Sequence, residues 1–132
     1  MARIIQLSEA ASLAIHAMVL IGRSKHIINV NSIADATGAS KNHLAKVMQR
    51  LVKDNFIKST RGPAGGFVLD KDVAAITLLD IYQSIEGPIV DKGCPMDRPV
   101  CAFDKCLMGG IIHKLSLEFR NYMQSQTLAD YV

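Results

Sequence analysis

The chain has 132 residues, the length of one domain, and a chain of this size buries roughly two-thirds of its unfolded surface, so its core needs no staple. A composition of 49% hydrophobic and 20% charged residues excludes a disordered chain, and 5% aromatics without Trp argues against a single-strand binder, which needs stacking platforms. The net charge of +3 is uneven: residues 1–70 hold nine Lys and Arg against four Asp and Glu, and residues 71–132 hold six against eight. Between 40 and 61, Lys41, Lys46, Arg50, Lys53, Lys58 and Arg61 face Asp54 alone. Such a concentration points to a polyanion partner; the plainer alternative is a solvated helix face.

Ser8 is a candidate N-cap and Gly22 a candidate stop for a first helix. The longest apolar run, Ala10 to Ile21, lies inside it and is too short to span a bilayer. Glu9 at its entrance and the lack of a small-x-small cleavage site read as a buried helix of a cytoplasmic protein, not a signal peptide. Arg23 to Asn29 reads as a polar loop, and Ser32 to Thr37 as a short helix ending at Gly38. Ser40 caps the next helix, which runs to Lys53 with Leu44, Val47, Met48 and Leu51 on one face and Asn42, Lys46, Gln49 and Lys53 on the other. Two β-prone runs, 56–61 and 67–69, flank the turn Gly62-Pro-Ala-Gly-Gly66 and predict a hairpin, with Arg61 at the mouth of the turn. Thr77-Leu-Leu-Asp80 has the form of a capping box, opening a helix that stops at Gly87-Pro88. Residues 88–100 read as a loop. A last long helix is expected from near Cys106 to Ser125, with Leu107, Ile111, Leu115, Tyr122 and Met123 as its apolar stripe.

Two short helices around Thr37-Gly38-Ala39-Ser40, followed at once by a hairpin, predict a winged helix-turn-helix. The fold class is mainly α with a small β-hairpin wing. A helix fits the major groove of B-DNA, and its first-turn side chains reach phosphates and base edges. The candidate DNA-binding residues are Ser40, Lys41, Asn42, His43, Lys46 and Arg50, with Arg61 placed to enter an adjacent minor groove. A winged helix serving only as a protein-interaction module is the alternative.

Cys94, Cys101 and Cys106 are the only cysteines and fall within thirteen residues, spaced C-x6-C-x4-C. An odd, clustered count without a signal peptide argues against structural disulfides. The spacing matches neither the C-x2-C pairs of zinc sites nor the C-x2-C-x2-C of bacterial ferredoxins. A Pro- and Gly-containing loop can still wrap a metal cluster; incidental thiols are the other reading.

These landmarks together resemble the IscR/NsrR family of bacterial winged-helix regulators along nearly the whole chain. They are Leu7-Ser8, Ala17-Met18, Ile33-Ala34, Leu44, Arg50-Leu51, Arg61-Gly-Pro-Ala-Gly-Gly66, Glu86-Gly87, Asp104-Lys-Cys106-Leu107 and Thr127-Leu128. The resemblance implies a homodimer joined by its long C-terminal helix. It also implies an iron–sulfur cluster, 2Fe–2S or 4Fe–4S, bound by the three cysteines and controlling affinity for a double-stranded DNA operator. Cys101 sits one place later than in the family pattern, and Gly109 stands where one branch has a ligating His. Ser12 stands where another branch uses an Asp from the partner's first helix, and Ala45 stands where some relatives have Glu in the recognition helix. The fourth ligand is therefore open between His16, which matches a ligating His of one branch, and His113; Glu9 and Ser12 follow them. His113 lies seven residues after Cys106, on one face if both share a helix.

The organisation expected is a winged helix-turn-helix DNA-binding domain over 1–87, a cluster-binding loop over 88–106, and a dimerisation helix and tail over 107–132. The function expected is a homodimeric, cytoplasmic transcriptional regulator, a repressor, whose cluster senses nitric oxide, redox state or iron status. The alternatives are a cluster-free regulator controlled by another ligand or protein, and an iron–sulfur electron-transfer protein. No enzyme is expected: there is no Gly-x-Ser-x-Gly elbow or His-Glu-x-x-His, and the wing glycines lack the Lys-Ser/Thr of a P-loop.

Overall fold

Ser8 caps the first helix as expected, its hydroxyl accepting the Ala11 amide. The computed structural model describes residues 7–89 and 102–132. Helix α1 spans Glu9–Arg23 and buries Ala11, Ala14, Ala17, Met18 and Ile21. It runs through Gly22, the expected stop, and ends at Ser24. Gly22 is small for another reason: a Cβ there would stand 2.7 Å from a methyl of Val132, which the tail packs against it.

Helix α2 spans Val30–Thr37 and starts two residues before the expected Ser32, because Asn29 supplies the cap by accepting the Ser32 amide. Gly38, in the left-handed region, ends it. Helix α3 spans Lys41–Lys53, with the Ser40 hydroxyl accepting the His43 amide. Leu44, Val47, Met48 and Leu51 are buried, as their spacing required. Strands β1 (Ile57–Thr60) and β2 (Gly66–Leu69) pair antiparallel from Ile57↔Leu69 to Thr60↔Gly66. Ile28, in the stretch read as a polar loop, forms a bridge to Phe67 and extends the hairpin by one short edge.

Helix α4 (Leu78–Glu86) opens on the reciprocal capping box of Thr77 and Asp80 and ends at Gly87. It sits centrally, packing on α1, α3 and the last helix, α5 (Ile111–Ser125). One hydrophobic core joins these elements through Met18, Ile33, Leu44, Met48, Leu51, Ile57, Ile76, Ile81 and Leu128.

Helix α5 begins five residues later than expected. Gly109 and Gly110 have φ of +60° and +75°, a left-handed pair that a right-handed helix cannot include, so Cys106 stands outside it. Of the expected apolar stripe only Met123 is buried. Ile112, Ser116 and Met123 are buried, with Phe119 half-buried edge-on against Tyr82 at 5.2 Å between ring centres. Leu107, Ile111, Leu115 and Tyr122 remain exposed, Leu107 at 76%. Helix α5 thus carries two apolar rows, of which α4 covers one. The tail returns beneath α4: Leu78 donates to the Gln126 carbonyl and Leu128 to that of Ile76, both at 2.9 Å. No described helix is long and apolar enough to cross a membrane.

Candidate nucleic-acid interface and cysteine site

The first turn of α3 projects from the body of the domain. Ser40, Lys41, Asn42 and Lys46 are exposed, and His43 is half-buried with Nδ1 3.9 Å from Glu9 Oε1. Lys41, Lys46, Lys53 and Arg61 make no ion pair with any described residue. The other two cations of the basic stretch are engaged. Lys58 pairs with Asp70 at 3.1 Å, and Arg50 donates through Nε to the Ser84 carbonyl at 2.8 Å. Arg50 was expected to face DNA; its Nε is engaged with α4, while half of its side chain is exposed.

The hairpin turn is shaped by close backbone contacts. The Gly65 amide donates to the Gly62 carbonyl at 2.9 Å, and a Cβ on Gly65 would stand 2.2 Å from the Thr60 carbonyl oxygen. Any side chain there would open the turn. Arg61, at its mouth, is exposed. Sequence reasoning passed over Lys25 and His26, which line a cleft of about 660 Å³ together with Ala64, Val68 and Leu69 of the hairpin. The adjacent β-prone Ile27-Ile28 was the signal that this loop docks on the wing.

Of the cysteines, Cys94 and Cys101 lie outside the described residues; Cys106 is exposed. The backbone amides of Gly110 and then Met108 donate to its sulfur, with Gly109 a lesser donor. They stabilise the thiolate and hold the thiol below its ordinary range, against slight desolvation. No cluster of metal-binding side chains occurs among the described residues.

His16, expected to be buried on an apolar helix, is exposed on the outer face of α1. Its face lines a groove of about 720 Å³ beside Ser12, Val19, Arg23 and Tyr131. Its Nδ1 lies 2.6 Å from the Ser12 carbonyl, which can only accept, so Nδ1 carries the proton. A neutral ring then presents the Nε2 lone pair, the form in which a histidine binds metal. His113 is exposed on α5, but Cys106 is not on that helix, so the shared-face argument for His113 does not hold.

The helix-turn-helix followed by a glycine-tipped hairpin is the architecture of a winged-helix transcriptional regulator. The chain matches the Rrf2 family model, described as iron-dependent transcriptional regulator, over residues 7–132, and it belongs to that family. These are regulators, not enzymes. The chain is 27% identical over 100 residues to the transcriptional regulator IscR of Klebsiella pneumoniae, a match covering 76% of this chain and 61% of that protein. The match to IscR of Escherichia coli K12 is also 27% identical, over 62% of that protein. Among solved structures it superposes on CymR, the global cysteine regulator of B. subtilis, with a TM-score of 0.78 at 24% identity, covering 96% of this chain and 95% of that one. IscR of T. potens follows at a TM-score of 0.74 and 23% identity, covering 96% and 85%. At these identities the superpositions establish the fold.

Proposed function

We propose that this chain is a homodimeric, cytoplasmic DNA-binding repressor whose operator affinity is set by an iron–sulfur cluster held by Cys94, Cys101 and Cys106. The observation that carries DNA binding is the set of cations Lys41, Lys46 and Arg61, without an ion pair among the described residues, around a helix start and a glycine-shaped turn. Ser40, Asn42 and His43 complete the first-turn surface. Asn42 suits adenine, Lys46 a phosphate, and Arg61 a narrow minor groove.

The donor set fits a cluster: Cys106 is exposed, and its amide neighbours favour the thiolate, the species that ligates iron. His16 is the fourth donor we assign, supplied across the dimer, because its protonated Nδ1 leaves Nε2 available. When bound, the cluster supplies a centre that exchanges electrons and is degraded by nitric oxide or oxygen. Cys94, Cys101 and Cys106 would hold the cluster as thiolates, so that its loss would free three ligands at once. Two half-sites about one helical turn apart must be met at once, so a small rotation of the protomers lowers affinity steeply. The exposed row Ile111, Leu115 and Tyr122 on α5 is the surface through which two copies join.

Anaerobic purification with a visible spectrum, light scattering, and DNA shifts with and without metal test this reading. The expected result is a coloured dimer that shifts DNA differently once stripped. A colourless protein that still binds DNA is a cluster-free regulator. A coloured protein that binds no DNA is an electron carrier.

A further inference from the structure

We propose that the last turn of α4 is the lever through which the cysteine-bearing segment sets the angle of the recognition helix α3, with Ser84 as its positioning residue. The regulatory half of this inference rests on the function proposed above.

The final carbonyls of a helix lack intrahelical donors. That of Ser84 would take the amide four residues on, but residue 88 is proline and has none. Arg50, from the last turn of α3, fills the place with its Nε–H at 2.8 Å. A guanidinium there also meets the negative end of the α4 dipole. The Ser84 hydroxyl, on a residue only 7% exposed, donates to Oδ2 of Asp54, the C-cap of α3. Arg50 Nε stands 3.7 Å from the same oxygen. Arg50, Asp54 and Ser84 therefore form one set of polar contacts between α3 and α4, in which Ser84 is buried and Arg50 half-exposed.

Two residues further along, Glu86 accepts a hydrogen bond from the hydroxyl of Ser8, the N-cap of α1. Gly87 then turns the chain with φ +83°, and Pro88 begins the segment that carries Cys94 and Cys101. One helical turn is thus tied to the recognition helix, to α1, and through the backbone to the cysteines. Apolar packing alone tolerates small sliding, whereas hydrogen bonds fail within about an ångström or a few tens of degrees. The strap accordingly gives α3 one defined angle for each position of the α4 turn. Arg50 acts here on α4 through its Nε.

The test uses the dimeric protein, metal-loaded and metal-stripped, with an operator duplex and an unrelated duplex. Ser84→Ala is expected to lose about fivefold or more of its preference for operator. Affinity for the unrelated duplex, the salt slope, the visible spectrum and the melting temperature stay at parental values. The ratio of operator affinities between loaded and stripped forms moves toward one. Ser84→Thr, which keeps the hydroxyl, restores both quantities. Asp54→Ala removes the same hydrogen bond from the half-exposed side and reports the effect if Ser84→Ala folds poorly. Parental preference and parental ratio in both alanine variants would overturn the proposal. If the parent binds operator equally with and without metal, the regulatory reading fails, and the positioning of α3 is decided by the operator preference alone.

Discussion

Cys106 shows how a local backbone can tune one side chain. It is fully exposed, so an apolar pocket does not set its acidity; the amides of Gly110 and Met108 do, by solvating the thiolate. A thiol lowered in this way is ionised at a pH where a free thiol is still protonated. In metal-free protein, alkylation of Cys106 by iodoacetamide should therefore reach half its maximal rate at a lower pH than that of an unstructured cysteine peptide. Stopped alkylation read by mass spectrometry checks this, and coincident profiles would show that the amides have no such effect. At the wing, Arg61 makes no ion pair with any described residue and sits on a turn that cannot accept a side chain at Gly65. Arg61→Ala should weaken operator binding by about 1–3 kcal/mol with dimer mass unchanged, read by fluorescence anisotropy. Lys46→Ala should weaken all duplexes alike and reduce the salt slope by about one unit for each phosphate that the lysine neutralises. A titration across salt concentrations separates the two outcomes.

Among the elements, α4 organises the rest. Its start is fixed twice, by the Thr77–Asp80 box and by the backbone bridge from 76–78 to 126–128. The box satisfies two amides that would otherwise point at nothing. Thr77→Ala should lower stability by about 1 kcal/mol, measured by urea denaturation, with the slope of the transition unchanged. A change in that slope would mean that the tail had also detached. Helix α5 depends on α4 for its buried row, through Tyr82 and Phe119. Its outer row, Ile111, Leu115 and Tyr122, is exposed.

Among the described residues, the outer row of α5 is an exposed apolar face. Ile111, Leu115 and Tyr122 recur along one face of α5, the last at 56% exposure, and Phe103 and Leu107 before the helix are exposed too. Burying one leucine is worth about 1.5–3 kcal/mol, and a carboxylate in the same place costs free energy instead. Leu115→Glu should raise the dimer dissociation constant by at least about tenfold, the equivalent of about 1.4 kcal/mol, in sedimentation equilibrium. Operator affinity should fall with it, because two recognition helices held together bind paired half-sites far better than one. Ile112, on the covered row, gives the contrast: its truncation to Ala should destabilise the fold and leave the association of the folded protein little changed.

The sequence alone determined those features that neighbouring residues settle among themselves. Ser8, Ser40 and Thr77 cap helices because each cap needs only an oxygen within reach of an amide three residues on. The buried face of α3 follows from its period, and the hairpin from a turn whose glycines nothing larger can replace. The family resemblance followed from the same local signals, strung in one order along the chain. Tertiary structure decided the matters of choice between equivalent options. The stripe expected on α5 held only at Met123, and packing on α4 buried Ile112 and Ser116 in place of Ile111, Leu115 and Tyr122. Gly22 could have been a helix stop, but Val132, far along the chain, made it a point of close approach. His16 read as buried because its helix is apolar, yet its face of α1 lines an open groove and leaves the ring exposed. Arg50 read as one more cation of a basic stretch. It turned to α4 because Pro88 left a carbonyl without a donor, and no local pattern brings residues 50, 84 and 88 together.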